Sequence, residues 1–280
     1  MQFGKYLSCP PGVIATDREL ALMNSIKVVF PTTKNLICIW HISKNILANC
    51  RKIFISEKDW EDFINDWNSF CESKTLEASE YNWNIIKTKY PAKYPSVVDY
   101  VEKTWIVRKE QFVRCYTDQY LHLGSRSTSR GEGSHFVIKR YINLARCDLL
   151  QVFTKLNHLL ENQFCELNQH IEDEKLKIMH QHRIPLFEPI LQNISRYSLN
   201  LLLEQYHLSL KAEESSCSGC FTNSYGLPCQ HLLKNYIRQS KVQIISNYLI
   251  FILNGIYTFP LQSSIVMLGQ TITFLQKLKF

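Results

Sequence analysis

The chain reads as an α+β protein, predominantly helical, and three observations carry that reading. Its 280 residues are 45% hydrophobic and include 15 Phe, 14 Tyr and 5 Trp, enough apolar mass for a packed core. The clear strand–helix–strand–helix pattern is confined to the start, around Val13–Ala15 and Leu36–Trp40. From Asp59 onward, apolar residues recur at helical spacing.

In order, Val13-Ile14-Ala15 predicts a short buried strand that ends at Thr16-Asp17. Arg18 to Val29 predicts a helix with Leu20, Met23, Ile26 and Phe30 on one side, stopped by Pro31. Leu36 to Trp40 predicts a second strand, followed by a helix from about Ser43. Asp59 to Tyr120 predicts helices broken at Pro91 and Pro95, with Trp60, Phe63, Ile64, Trp67 and Phe70 on one buried stripe. The polar run Gly124–Gly131 predicts a loop that enters a helix near Glu132, and Asp148 opens a longer helix through Val152, Phe153, Leu156, Leu159 and Leu160. The charged stretch Glu172–Arg183 leads to a boundary at Pro185, after which Leu186–His207 predicts a further helix. No internal repeat is present.

The formal net charge of +7 suits a polyanionic partner without requiring one. Ten cysteines are spread along the chain with one dense cluster, and Met1 begins no signal peptide, which points to a reducing intracellular setting rather than secretion. The apolar run Val242–Phe259 is interrupted by Ser246, Asn247, Asn254 and Gly255 and predicts no membrane helix.

Chemistry concentrates in a few places. Cys217, Cys220, Cys229 and His231 lie within fifteen positions and offer sulfur and imidazole ligands for one tetrahedral Zn²⁺. The intervening Ser224–Pro228 supplies a turn, with Gly226 free to take positive φ and Pro228 fixing φ before the third thiol. Asp17 stands at the carboxyl end of a strand, where it is either a divalent-metal ligand or a helix N-cap. Glu132 is either a second metal ligand or the partner of Ser129 in a capping box. Arg126, Arg130, Lys139 and Arg140 surround it and suit phosphates. Cys38-x2-His41 has metal-like spacing but no partner nearby in sequence, and such a pair also fits ordinary core and surface positions.

Taken in order, these segments resemble a known family. Val13–Ile26, Phe30-Pro31 and Leu36–Asn45 resemble the Mutator-like (MULE) transposase domain, and Leu121–Lys139 resembles its segment bearing the catalytic glutamate. Ile184–Phe187 and Ile194–Leu199 match the region before its SWIM-type zinc finger, and the Cys/His cluster falls where that finger belongs. The resemblance implies a partial ribonuclease-H-like core at 12–175 with a helical insertion at about 55–120, then a helix plus SWIM-type finger at 184–240, with an apolar tail at 241–280. It implies that Asp17 and Glu132 are the second and third acids of a DDE triad, and that Cys38 and His41 are the family's Cys-x2-His pair. It further implies Mg²⁺-dependent DNA strand cleavage and transfer in the intact ancestor, structural zinc, DNA as partner and a nuclear location.

Two departures qualify the match. The family's first Asp belongs on a strand upstream of Val13, so the chain is expected to be N-terminally truncated, catalytically inactive alone, and open to self-association along an exposed strand edge. The usual finger begins Cys-x-Cys, whereas Gly219 holds the second-cysteine place and Cys220 follows it. The expected function is that of a transposase remnant that binds zinc and DNA; the alternative is a transposase-derived, non-catalytic DNA-binding regulator.

Overall fold

A computed structural model describes residues 10–142, 148–211 and 217–238. The expected tail at 241–280, including the run that predicts no membrane helix, lies outside the described residues. Among the described residues the chain is predominantly helical, and no helix is long and apolar enough to cross a membrane. It forms two compact units. The first takes in Pro10–Thr128 and Ser218–Tyr225, and the second takes in Ser129–Cys217 and the described residues from Gly226.

In the first unit, β1 (Val13–Thr16) and β2 (Lys34–Ile37) pair in parallel, with Val13 opposite Lys34 and Thr16 opposite Ile37. Parallel neighbours need a crossover, which α1 (Leu20–Val29) provides. Met23 and Ile26 are its buried residues, whereas Leu20 is 53% exposed, so the apolar stripe is narrower than its sequence suggests. The second strand also stops earlier than expected. The ladder closes with Cys38 N–H donating to Thr16 O at 2.7 Å, and α2 (Ile39–Cys50) begins at once. A continuous apolar run does not mark where a strand gives way to a helix, so Trp40 and His41 lie on the first turn of α2.

Three longer helices follow: α3 (Glu57–Cys71), α4 (Leu76–Lys89) and α5 (Pro95–Thr104), then the short α6 (Arg114–Thr117). Ser56 and Thr75 cap α3 and α4 by accepting from Asp59 N and Ala78 N, and Pro95 opens α5 where a missing N–H costs nothing. Of the expected stripe, Trp60, Phe63, Trp67 and Phe70 are buried and Ile64 is half-buried against them, joined by Ile42 and Ile46 of α2 and by Val97, Val101, Trp105 and Phe112. Phe54 stacks 4.3 Å from Tyr94 and 5.2 Å from Phe63. Tyr90 and Tyr94 bury their rings but donate their hydroxyls to Asp66 and Asp59, both at 2.6 Å. Helices α3 to α6 thus share one core with α2, and the chain reaches β2, where Gln111 donates to Asn35 O at 3.3 Å.

In the second unit, α7 (Ser129–Ile142) starts three residues before Glu132, and α8 (Leu149–Leu176) is capped by Asp148, which accepts from Gln151 N at 2.8 Å as its sequence predicts. The expected helix over Leu186–His207 is two elements. A 3₁₀ segment at Pro185–Ile190 contains Pro189, whose ring removes a donor, Gln192 takes φ 70°, and α9 (Arg196–Lys211) starts afterwards. Arg196 N donates to Glu174 of α8 at 2.8 Å. The chain then contributes α10 (Cys220–Tyr225) to the first unit and α11 (Gln230–Arg238) to the second. There α11 packs on α9, with Leu202 and Leu233 both fully buried, and Gln230 N donates to Gln205 at 3.0 Å.

Candidate metal centre and carboxylate positions

The Cys/His cluster assembles in part within the second unit. Cys217, Cys229 and His231 bring their ligand atoms within 4.8 Å of one another. Sγ of Cys217 and Sγ of Cys229 are 3.5 Å apart, and Sγ of Cys229 is 3.9 Å from Nδ1 of His231. Ligands around a tetrahedral Zn²⁺ stand roughly 3.5–3.8 Å apart, given Zn–S near 2.3 Å and Zn–N near 2.0–2.1 Å. Donor types and spacing therefore fit zinc. Gly226 takes φ 67°, the conformation its place in the turn invites, and Cys229 directly precedes α11 with its carbonyl accepting from Leu233 N at 2.9 Å. His231 then falls on the first turn of that helix.

Cys220 lies in the first unit, outside this group of three. Its buried thiol sits 3.7 Å from Lys74 O and 3.5 Å from Nε2 of Gln119. The rest of α10 docks beside it. Leu123 N donates to Ser224 O at 2.8 Å, and Asn223 donates to Gln119 at 3.2 Å. Tyr225 closes over Gly124, which has φ 74° and where a Cβ would come 2.8 Å from the tyrosine hydroxyl.

The turn that receives α10 rests on a buried polar group that sequence reading missed. Asp118 accepts from Nε of Arg114 at 2.8 Å and pairs with Nε2 of His122 at 3.1 Å. Gly124 N donates to Nδ1 of His122 at 3.0 Å, which leaves the ring proton on the nitrogen facing Asp118. Burial pushes the Asp118 carboxyl up, but hydrogen bonds from His122 and Arg114 outweigh it and hold the group below the usual range. The i, i+4 spacing of Arg114, Asp118 and His122 was the available signal.

Asp17 is exposed at the carboxyl edge of the parallel pair, directly after Thr16. The N-cap of α1 is Glu19, so the capping role open to Asp17 from sequence is not the one it takes. Cys38 follows β2 at the same edge and is fully buried. Its Sγ accepts from the backbone N–H of Thr128 at 3.2 Å and from the Thr128 hydroxyl at 3.3 Å, and that hydroxyl lies 3.2 Å from Nδ1 of His41. The Cys-x2-His pair is thus bridged by a threonine side chain. Next to it, Arg126 donates to Glu72 at 3.0 Å and to Phe112 O at 2.9 Å, its side chain only 14% exposed, while its carbonyl accepts from Ile39 N. Of the four candidate phosphate ligands, Arg126 is the one engaged in the fold of the first unit.

Glu132 belongs to the second unit, exposed in the first turn of α7, where a carboxylate faces the positive end of the helix. Arg130, Lys139 and Arg140 are on the same helix, and Lys139 and Arg140 complement its last turn.

Residues 3–45 match the MULE transposase domain. The matched segment contains β1, α1, β2, Asp17, Cys38 and His41. The chain is 24% identical over 158 residues to Protein FAR1-RELATED SEQUENCE 5 of Arabidopsis thaliana, covering 55% of this chain and 19% of that protein. It is 23% identical over 260 residues to the PKS-NRPS hybrid synthetase cheA of Chaetomium globosum, covering 79% of this chain and 6% of that protein. The chain spans less than a fifth of the length of either curated relative. No solved structure matches it significantly.

Proposed function

We propose that the chain is a transposase-derived DNA-binding protein with a structural zinc centre in a SWIM-type finger. The observation that carries the proposal is the parallel β1–α1–β2 unit with Asp17 at its carboxyl edge, lying inside the segment that matches the MULE transposase domain. That unit forms part of a ribonuclease-H-like core in this reading, and α3 to α6 are its helical insertion. The group Cys217, Cys229 and His231 supports zinc, the α7 cations Arg130, Lys139 and Arg140 support DNA, and DNA as partner gives the nucleus as the place of action.

Asp17 and Glu132 are the acids this chain offers toward Mg²⁺, which when bound supplies charge stabilisation to the attacking and leaving oxygens of strand cleavage.

Purified protein should hold about one Zn²⁺ and bind duplex DNA with affinity that falls steeply with salt. Absence of DNA binding at low ionic strength overturns the proposal. Mg²⁺-dependent nicking of supercoiled plasmid that disappears in Asp17→Ala restores the enzyme in its place.

A further inference from the structure

Between α7 and α8, within the second unit, lies an open groove of about 480 Å³ lined by Phe136, Val137, Arg140, Tyr141 and Lys155. Phe136 is 66% exposed, Val137 41% and Tyr141 40%, an unusual run of large apolar side chains on one helix face. Helical spacing stacks Glu132, Phe136 and Arg140 along that face at successive i, i+4 positions.

The charges decide what such a groove suits. Arg140 and Lys155 line it, Lys139 and Arg130 sit on the same helix, and Glu132 is the one acid in α7. Lys155 donates to Ile142 O at 2.9 Å, which holds its ammonium at the C-terminal end of α7. Protein interfaces deplete lysine at their centres, whereas strand-binding grooves interleave aromatic faces with cations so that bases stack and phosphates are neutralised. Every base presents a π-face, and arginine adds a cation–π contribution.

We infer that this groove holds an unpaired nucleobase of a DNA strand, with Phe136 and Tyr141 as stacking faces and Arg140 and Lys155 against the flanking phosphates. The inference rests on the DNA-binding reading above and adds the strand state that this part of the chain recognises. Phe136 stands one helical turn, about 6 Å along the axis, from Glu132, so a base held there lies on the same helix as that carboxylate.

The test compares fluorescein-labelled oligothymidylate with a duplex of equal length, by anisotropy, on the full chain, Phe136→Ala, Phe136→Trp and Arg140→Gln. Phe136→Ala is expected to weaken single-strand binding about tenfold, with Phe136→Trp restoring it and duplex binding little changed. Arg140→Gln is expected to weaken it and to flatten its salt dependence. Single-strand affinity indifferent to Phe136→Ala, with duplex binding intact, overturns this inference alone. A fall in sedimentation coefficient on Phe136→Ala overturns it in favour of a second copy of the chain. Wild-type protein that binds neither probe overturns the DNA-binding reading and this inference with it.

Discussion

The backbone amide and hydroxyl of Thr128 both reach the sulfur of Cys38, ninety residues earlier, at 3.2 and 3.3 Å. The same hydroxyl touches the His41 ring at 3.2 Å, so the three side chains form one small polar node at the carboxyl edge of the parallel strands.

Thr128→Val keeps the shape of that node and removes its hydroxyl. It should lower stability by about 1 kcal/mol, read from urea unfolding, because a partly buried acceptor loses a donor. Faster amide exchange at residues 126–128 should accompany it. Cys38→Ser should leave zinc content unchanged, since the pair is bridged by threonine; loss of zinc in that variant would make it a ligand pair instead.

The candidate zinc ligands separate by substitution. Cys229→Ser and His231→Ala should each abolish tight metal binding, measured by zinc analysis or by the thiolate-to-cobalt absorption of Co²⁺-loaded protein. Cys220→Ala should retain metal but destabilise the fold by about 1–2 kcal/mol, because its thiol fills a buried place against Lys74 and Gln119. Loss of metal in Cys220→Ala would restore it to the ligand set.

Asp118 gives the chain an acid-sensitive element. Its carboxyl is held below the usual range when folded, so the stability it contributes is present above the unfolded value, near 4, and is lost as pH falls through the folded one. Asp118→Ala should cost about 2 kcal/mol at neutral pH, because it leaves the buried Nε2 of His122 without its acceptor and Arg114 with Glu72 alone. It should also flatten the decline in stability below pH about 4, measured by denaturant melts across that window.

Gly124→Ala meets two obstacles at once. Its φ of 74° costs an L-residue about 1 kcal/mol, and the new methyl would press on the Tyr225 hydroxyl. A thermal or urea comparison with Gly124→Ala in a Tyr225→Phe background should recover the share due to the hydroxyl and leave the backbone part and the close ring-carbon contacts.

The sequence was most legible where one residue type and its neighbours decide the outcome. The Trp60–Phe70 stripe, the Asp148 cap, the Pro91–Pro95 break and the positive φ of Gly226 all follow from local periodicity or single-residue sterics. The start of α2 was hidden because Leu36–Trp40 is apolar throughout, and only the ladder bond from Cys38 to Thr16 ends the strand. The candidate site was legible in residue type but not in grouping. Nothing local separates Cys220 from Cys217; the distinction comes from Lys74 and Gln119, 146 and 101 residues away. Thr128 was hidden for the same reason, and the Asp118–His122 pair left only its i, i+4 spacing as a signal, since its burial arises on folding.

The docked helix α10 has a thermodynamic corollary. It lies between Cys217 and Cys229, so a metal joining those two sulfurs turns the intervening stretch into a closed ring. Ring closure removes conformers that the stretch would otherwise sample, which lowers the entropy lost when α10 settles beside Gln119 and Gly124. Chelation of the metal should therefore loosen the Gly124 turn, read as faster amide exchange at residues 122–124.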